Sequence, residues 1–260
     1  MIGVVYLVRD MLDQIPSFKC FKKMWASKIH EKKIFPSVKR ELLILQEIQN
    51  IKGCIQLLDI VQDAESITLV TDYYIRGDLY HHAKVNPRNP MKEWIAQYIC
   101  RQLAETLLQL HNIDIIHRDM KPENILVDNN WRVVITDFGF AIKGSDLKQS
   151  GSYSRVGTLE FYPPEMLSPM FGSRIQYDEK VDIWSLGIVI YELIFGRTPF
   201  YTGNEDQTKG RIRAMDFSVP HNNYPEATDM FKKIFRHPKD RITLPQLLVH
   251  PWLQKKIPRV

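Results

Sequence analysis

The apolar and polar positions divide the chain into a strand-rich first part and a helical remainder. Two apolar runs, residues 4–8 and 18–25, read as strands, with a turn around residues 13–16 between them. The period then lengthens. In residues 37–49, Val38, Leu42, Leu45 and Ile48 stand at helical spacing, with Pro36 just before them. Residues 55–61 and 67–73 predict a strand pair turning at Asp63-Ala64-Glu65. A long helix is expected over residues 90–111, where Trp94, Ile95, Tyr98, Ile99, Leu103, Leu107 and Leu110 form a broad apolar face that belongs in a core. Residues 125–127 and 133–135 make a small hairpin around Asp128-Asn129-Asn130. The apolar run 181–195, broken by Asp182, Ser185 and Glu192, reads as a buried helix. Thr243-Leu244-Pro245-Gln246 has capping-box spacing before Leu247, Leu248 and Val249.

Composition adds little to this pattern but limits the function. With 260 residues, 44% of them hydrophobic and 25% charged, the chain can bury a sizeable core. The net charge of +5 is modest, and the basic residues dense over 19–40 read more simply as a solvated face than as a nucleic-acid site. Cys20, Cys54 and Cys100 show no paired or metal-ligand spacing, which fits reduced thiols. The apolar opening ends at Arg9 and Asp10, far short of a signal peptide, and run 181–195 is too short and polar to span a bilayer. No repeat or linker interrupts the chain. The expectation is a soluble intracellular protein, in nucleus and cytoplasm, with no direct contact to nucleic acid or membrane.

The chemistry concentrates in His117-Arg118-Asp119-Met120-Lys121-Pro122-Glu123-Asn124. This string sets a carboxylate, an ammonium and an amide within eight residues, between apolar Ile113, Ile115 and Ile116 and apolar Ile125, Leu126 and Val127. A polar loop held between short buried segments suits phosphoryl transfer: the carboxylate orients a hydroxyl, the ammonium neutralises the phosphoryl group, and the amide holds a metal. Asp137-Phe138-Gly139 then offers a second metal ligand, and Pro163-Pro164-Glu165 follows.

These motifs, in this order, resemble the catalytic core of eukaryotic protein kinases, and Lys121 resembles the serine/threonine branch. The resemblance implies an α+β, two-lobed protein kinase-like fold with a small, mainly antiparallel β lobe over residues 1–74 and a large α-helical lobe over 75–260. It implies ATP and Mg2+, with Asp119 as base or orienting carboxylate, Lys121 at the transferring phosphoryl, and Asn124 and Asp137 as metal ligands. Gly3 matches the last glycine of the Gly-rich loop. The first strand and most of that loop are therefore expected to be missing, through a late start or a true truncation. Lys22, in a segment resembling Val-Ala-Ile-Lys, would hold phosphates and pair with Glu41. Val5, Cys20 and Leu126 would enclose adenine, and the Asp72 to Tyr74 hinge, after gatekeeper Thr71, would hydrogen-bond it. His117, Phe138, Leu45 and Leu57 would form an apolar stack between the lobes. Asp182 would brace the catalytic loop, and Glu165 would pair with Arg241.

Within the family, Gly157-Thr158-Leu159-Glu160-Phe161-Tyr162-Pro163-Pro164-Glu165-Met166 and Asp178-Glu179-Lys180-Val181-Asp182-Ile183-Trp184-Ser185-Leu186-Gly187 are similar to Aurora kinases. Two features depart: Phe140 stands where Aurora kinases usually have Trp, and the paired arginines before the phosphorylated Thr are missing. The Aurora resemblance implies a role in chromosome segregation and the spindle checkpoint, at spindle or kinetochore. It also implies Ser154 as activating phosphosite, an inner-centromere-type activating partner at the small lobe, and protein substrates with basic residues before the target hydroxyl, facing Asp78, Glu123 and Glu192. Calcium/calmodulin-type and polo-type kinases, or a pseudokinase scaffold, are the alternatives.

Overall fold

A computed structural model of the protein describes residues 3–10, 17–31, 35–84, 91–150, 156–167, 177–220 and 224–255. The first third builds a four-stranded antiparallel sheet, in the order β1-β2-β4-β3, from β1 (Gly3–Asp10), β2 (Ser17–Trp25), β3 (Leu57–Gln62) and β4 (Ser66–Asp72). Helices α1 (Ala26–Glu31) and α2 (Phe35–Glu47) lie between β2 and β3 in the chain. The turn before β4 is closed by Asp63, whose carboxylate accepts from the amides of Glu65 and Ser66.

Strand register decides which side chains share a face. Val5 pairs with Lys22 and Leu7 with Cys20, while on the other side of β2 Cys20 meets Thr71 and Lys22 meets Leu69. Side chains directly opposite in an antiparallel pair point the same way, so these six occupy one face of the sheet. Among the described residues strand β1 is bonded on one side only, and Val4, Val5, Tyr6 and Leu7 are exposed along it. Helix α2 begins two residues earlier than expected and takes Pro36 into its first turn, where a missing N–H costs nothing. It buries Val38, Ile44 and Leu45 and, with them, Glu41.

The remainder is helical. In order come α3 (Leu79–Lys84), α4 (Glu93–Asn112), β5 (Ile115–Ile116), β6 (Ile125–Val127), β7 (Val133–Ile135), β8 (Ile142–Lys143), α5 (Gly144–Ser150), α6 (Pro164–Leu167), α7 (Lys180–Phe195), α8 (Glu205–Ala214), α9 (Pro225–Ile234), α10 (Leu244–Leu248) and α11 (Pro251–Gln254). The expected start of α4 at Pro90 falls outside the described residues; from Glu93 the helix follows its predicted apolar face. Helix α7 is buried nearly all round and packs against α4, as a helix without a polar face must. Trp184 on α7 stacks on Phe200 at 5.2 Å and meets Phe235 edge-on at 5.0 Å. Thr243 and Gln246 complete both halves of the capping box at α10. Two small antiparallel pairs form, β5 with β8 and β6 with β7; β5 precedes the Asp119 loop and the other three strands follow it. No helix among the described residues is long and apolar enough to cross a membrane.

Candidate active site

Lys22 joins the sheet to the helical part. Its Nζ lies 2.7 Å from Glu41 Oε1 on α2 and 3.2 Å from Asp137 Oδ1, beyond β7. Burial pulls the Lys22 ammonium toward neutrality, but the two carboxylates outweigh it and hold its pKa above the ordinary value. Burial likewise pushes Asp137 up, and the Lys22 charge overrides it, so this carboxyl sits below its usual range. Lys22 and Asp137 therefore stay charged near neutrality. Glu41 reaches Lys22 because it stands on the apolar stripe of α2, three residues after Val38 and four before Leu45.

The segment from β5 to β6 holds Asp119, Lys121 and Asn124. Asp182, fully buried in the first turn of α7, accepts the backbone amides of His117 through Oδ2 at 2.9 Å and of Arg118 through Oδ1 at 2.8 Å. His111, near the end of α4, stands 2.9 Å from the same Oδ2. Burial pushes Asp182 up, yet the His111 contact and the amides hold it below the ordinary carboxylate value. Held this way, Arg118 takes φ +67, and Asp137 takes φ +58 at the far end of the site. Such left-handed conformations cost a non-glycine residue about 1–3 kcal/mol and persist only where the surroundings impose them.

Asp119 is only 4% exposed, and its two oxygens are differently placed. Oδ2 accepts from Lys121 Nζ and from Asn124 Nδ2, each at 2.8 Å. Oδ1 is buried and accepts no hydrogen bond among the described residues. It faces Gly157, where a Cβ would come within 2.9 Å of it. A carboxylate oxygen with no donor of its own can accept from an incoming hydroxyl. Lys121 also donates to Thr158 Oγ1 at 3.1 Å, which ties the loop to the residue after Gly157.

The donor set at Asn124 and Asp137 suits Mg2+. Asn124 spends its amide N–H groups on the Asp119 carbonyl and carboxylate, which leaves its amide oxygen to turn toward a cation. Asp137 supplies an ionised carboxylate. Among the described residues no cluster of three or more His, Cys, Asp or Glu forms a closed metal cage. One carboxylate and one amide oxygen, completed by phosphate and water, are what magnesium ordinarily takes from a protein.

One sheet face carries Val5, Cys20, Lys22 and Thr71, and Leu126 on β6 is bridged to Asp78. Burial pushes the Cys20 thiol above its ordinary pKa. Gly3 pairs with Met24 at the start of β1. Asp72 ends β4 exposed, while Tyr74 is half-buried, its hydroxyl pushed by burial up to about 12. Gly77, at φ +69, lets the hinge turn so that its carbonyl accepts from Val127. The His117 ring meets Phe138 edge-on at 5.0 Å, in one buried cluster with Leu45 and with Leu57 packed against it.

After Asp137 the chain does not remain a loop. Strand β8 pairs with β5, and α5 docks Leu147 into a cluster with Ile116, Met166, Tyr177 and Val181. Ser154 lies outside the described residues. Arg118 donates from Nε to the Phe140 carbonyl at 2.7 Å and from Nη1 to the Tyr177 hydroxyl at 2.8 Å. Arg40, on α2, has a buried Nε without a partner among the described residues, and burial together with the nearby Arg118 guanidinium lowers its pKa. Glu165 and Arg241 pair twice, at 2.7 and 2.9 Å. Asp78 precedes α3, accepting the His81 amide at 3.0 Å; exposed Glu123 lies on the Pro122–Asn124 turn packed against α3, and half-buried Glu192 lies on α7.

Sequence reading assigned no part to His111, Lys143 or Arg40. His111 could have been found as a polar residue four after Leu107 on the helix; Arg40 and Lys143 carry no local signal.

The protein kinase domain family matches residues 1–253. The chain is 32% identical over 259 residues to Aurora kinase C of Mus musculus, covering 99% of this chain and 89% of that one. It is 34% identical over 253 residues to an Aurora kinase of Debaryomyces hansenii, covering 97% of this chain, and 31% identical over 255 residues to one of Schizosaccharomyces pombe, again covering 97%. It spans 59% of the length of the first yeast protein and 68% of the second.

Proposed function

The chain belongs to the protein kinase family and, within it, to the Aurora serine/threonine kinases; from that premise we propose that its cleft transfers the γ-phosphate of ATP to Ser or Thr of protein substrates. The observation that carries this is Asp119, with Oδ2 fixed by Lys121 and Asn124 and Oδ1 buried, open and facing Gly157. Oδ1 would receive the substrate hydroxyl and take its proton as the oxygen–phosphorus bond forms and ADP leaves. Lys121 would face the phosphoryl charge, and Lys22, held by Glu41, the other phosphates. Asn124 and Asp137 would hold magnesium, which when bound neutralises phosphate charge. Val5, Cys20 and Leu126 would flank adenine, Asp72 and Tyr74 would offer hinge backbone to it, and Gly3 would start the strand beside the phosphates. The kinase domain would run over residues 1–260, dividing after Tyr74.

Substrates with arginine or lysine before the target would meet Asp78, Glu123 and Glu192. Phosphorylated Ser154 would be held by Arg118, and the neighbouring partnerless Arg40 Nε supports an anion there. The exposed apolar residues along β1 support an inner-centromere-type activating partner at this lobe. Aurora membership supports a role in chromosome segregation and the spindle checkpoint, in nucleus and cytoplasm. The test is Asp119→Asn with radiolabelled ATP and a basic peptide. Transfer is expected to fall by about two to four orders of magnitude while ATP affinity stays nearly unchanged. Near wild-type transfer would refute the assignment, and no transfer by the unaltered chain would favour a scaffold.

A further inference from the structure

We propose that Lys143 is a positioning residue for phosphoryl transfer, one ammonium that closes the ends of two helices and keeps α2 where Glu41 reaches Lys22. This deepens the phosphotransfer reading and rests on it. Lys143 stands in β8, six residues after Asp137, and its backbone is paired with Ile115 in β5, just before the catalytic loop. That pairing fixes where the side chain starts. Its Nζ donates to the carbonyl of Ile113, the C-cap of α4, at 2.9 Å, and makes an ion pair with Glu47, the last residue of α2.

Two physical facts make this junction more than an ordinary surface pair. The last carbonyls of a helix have no intrahelical donor, and the C-terminal end carries partial negative charge. The Lys143 ammonium bonds a carbonyl at the end of α4 and, at the end of α2, pairs with the carboxylate of its last residue, bringing positive charge to both ends. Neither helix has a basic side chain of its own that serves α2, whose last turn contains none. The second fact is leverage. Glu47 lies six residues after Glu41, about 9 Å along the axis. The helix is thus pinned near its end by Lys143 and near its middle by Lys22. If the end is released, the Glu41 contact and packing are what resist rotation or sliding of α2 among the described residues. Lys22 also touches Asp137, so loosening α2 would loosen how the phosphates are held. The segment after Lys143 is anchored as well, with Gly144 donating to the Asp114 carbonyl and Ser145 to the Asp114 carboxylate. Lys143 is therefore one point at which the stretch after Asp137 grips the end of α2.

The test uses the full chain with Lys143→Met, Glu47→Gln, the double variant, and Lys143→Arg. Each is measured for binding of a fluorescent ATP analogue, steady-state kinetics, and hydrogen exchange of the α2 amides. Lys143→Met and Glu47→Gln are each expected to weaken nucleotide binding about three- to tenfold, the scale of a partly exposed ion pair at a helix end. The double variant should be no worse than the poorer single one, because both remove the same link. Exchange in α2 should quicken, and Lys143→Arg should restore most of the loss. Losses that multiply in the double variant, or unchanged binding and α2 exchange in Lys143→Met, would overturn the proposal. Such a result leaves the phosphotransfer reading standing, provided the unaltered chain transfers phosphate; an unaltered chain that neither binds the analogue nor transfers would instead remove the reading beneath it. Because binding and exchange are read on folded protein selected by its circular dichroism, a variant that fails to fold is replaced in the comparison by Glu47→Gln alone.

Discussion

Gly157 stands at φ +98, and a Cβ there would lie 2.9 Å from the Arg118 carbonyl oxygen and 2.9 Å from Asp119 Oδ1. Alanine at this position meets two penalties. The left-handed backbone costs an L-residue about 1–2 kcal/mol, and the methyl group enters the space that Asp119 keeps open. Gly157→Ala is therefore expected to lower the transfer rate by at least about tenfold, with ATP affinity within about twofold of the parent, since no nucleotide contact is assigned to this residue. Parallel loss of ATP binding would show a general collapse and sink the explanation. Gly157 was legible as part of a motif, and so was Glu41, a charged residue standing on an apolar stripe. The left-handed conformations of Arg118 and Asp137 were not. Nothing in either side chain prefers φ > 0, so they come from contacts that only the folded chain assembles, Asp182 with the Arg118 amide among them.

At the scale of elements, α7 contributes to the site from beneath. Its first-turn Asp182 replaces water for two backbone amides of the catalytic loop. Burial alone would raise this carboxyl, but His111 and the amides hold it below the ordinary 3.8. A lowered folded pKa means that the ionised form stabilises the fold. That contribution is fully present above pH 3.8 and is lost as pH falls through the lower folded value. Asp182→Asn is expected to cost about 2–4 kcal/mol at neutral pH and to flatten the loss of stability below about pH 4. Urea unfolding measured across that range checks it; parallel curves for the two proteins would contradict the linkage. The sequence displayed α7 plainly because sixteen residues without a polar face can only be interior. It carries a stripe for α9 too, Ala227, Met230, Phe231 and Ile234, all buried. Helix α5 was hidden for a better reason. Gly144 to Ser150 has one apolar anchor, Leu147, and its helix forms because a cluster from four other places receives that side chain.

For the whole molecule, the sign of the surface matters more than the net charge. The chain carries +5, yet the acids assigned to substrate lie on three separate elements: Asp78 before α3, Glu123 on the turn that also holds Asn124, and Glu192 on α7. A substrate groove built from them would need folding to bring residues so far apart in sequence together. Glu123 is the most direct probe, because it is exposed and belongs to the turn that holds the catalytic loop in place without itself touching Asp119. Glu123→Gln keeps the shape and removes the charge. An exposed charge pair is worth up to about 1 kcal/mol and weakens as salt screens it. The KM for a peptide with arginine before the target serine should therefore rise about three- to fivefold at low salt and less at high salt. The KM for ATP, and that for a peptide with alanine in place of the arginine, should hardly move. If both peptides respond alike, Glu123 acts on the loop and not on the substrate, and the preference for basic substrates loses this support.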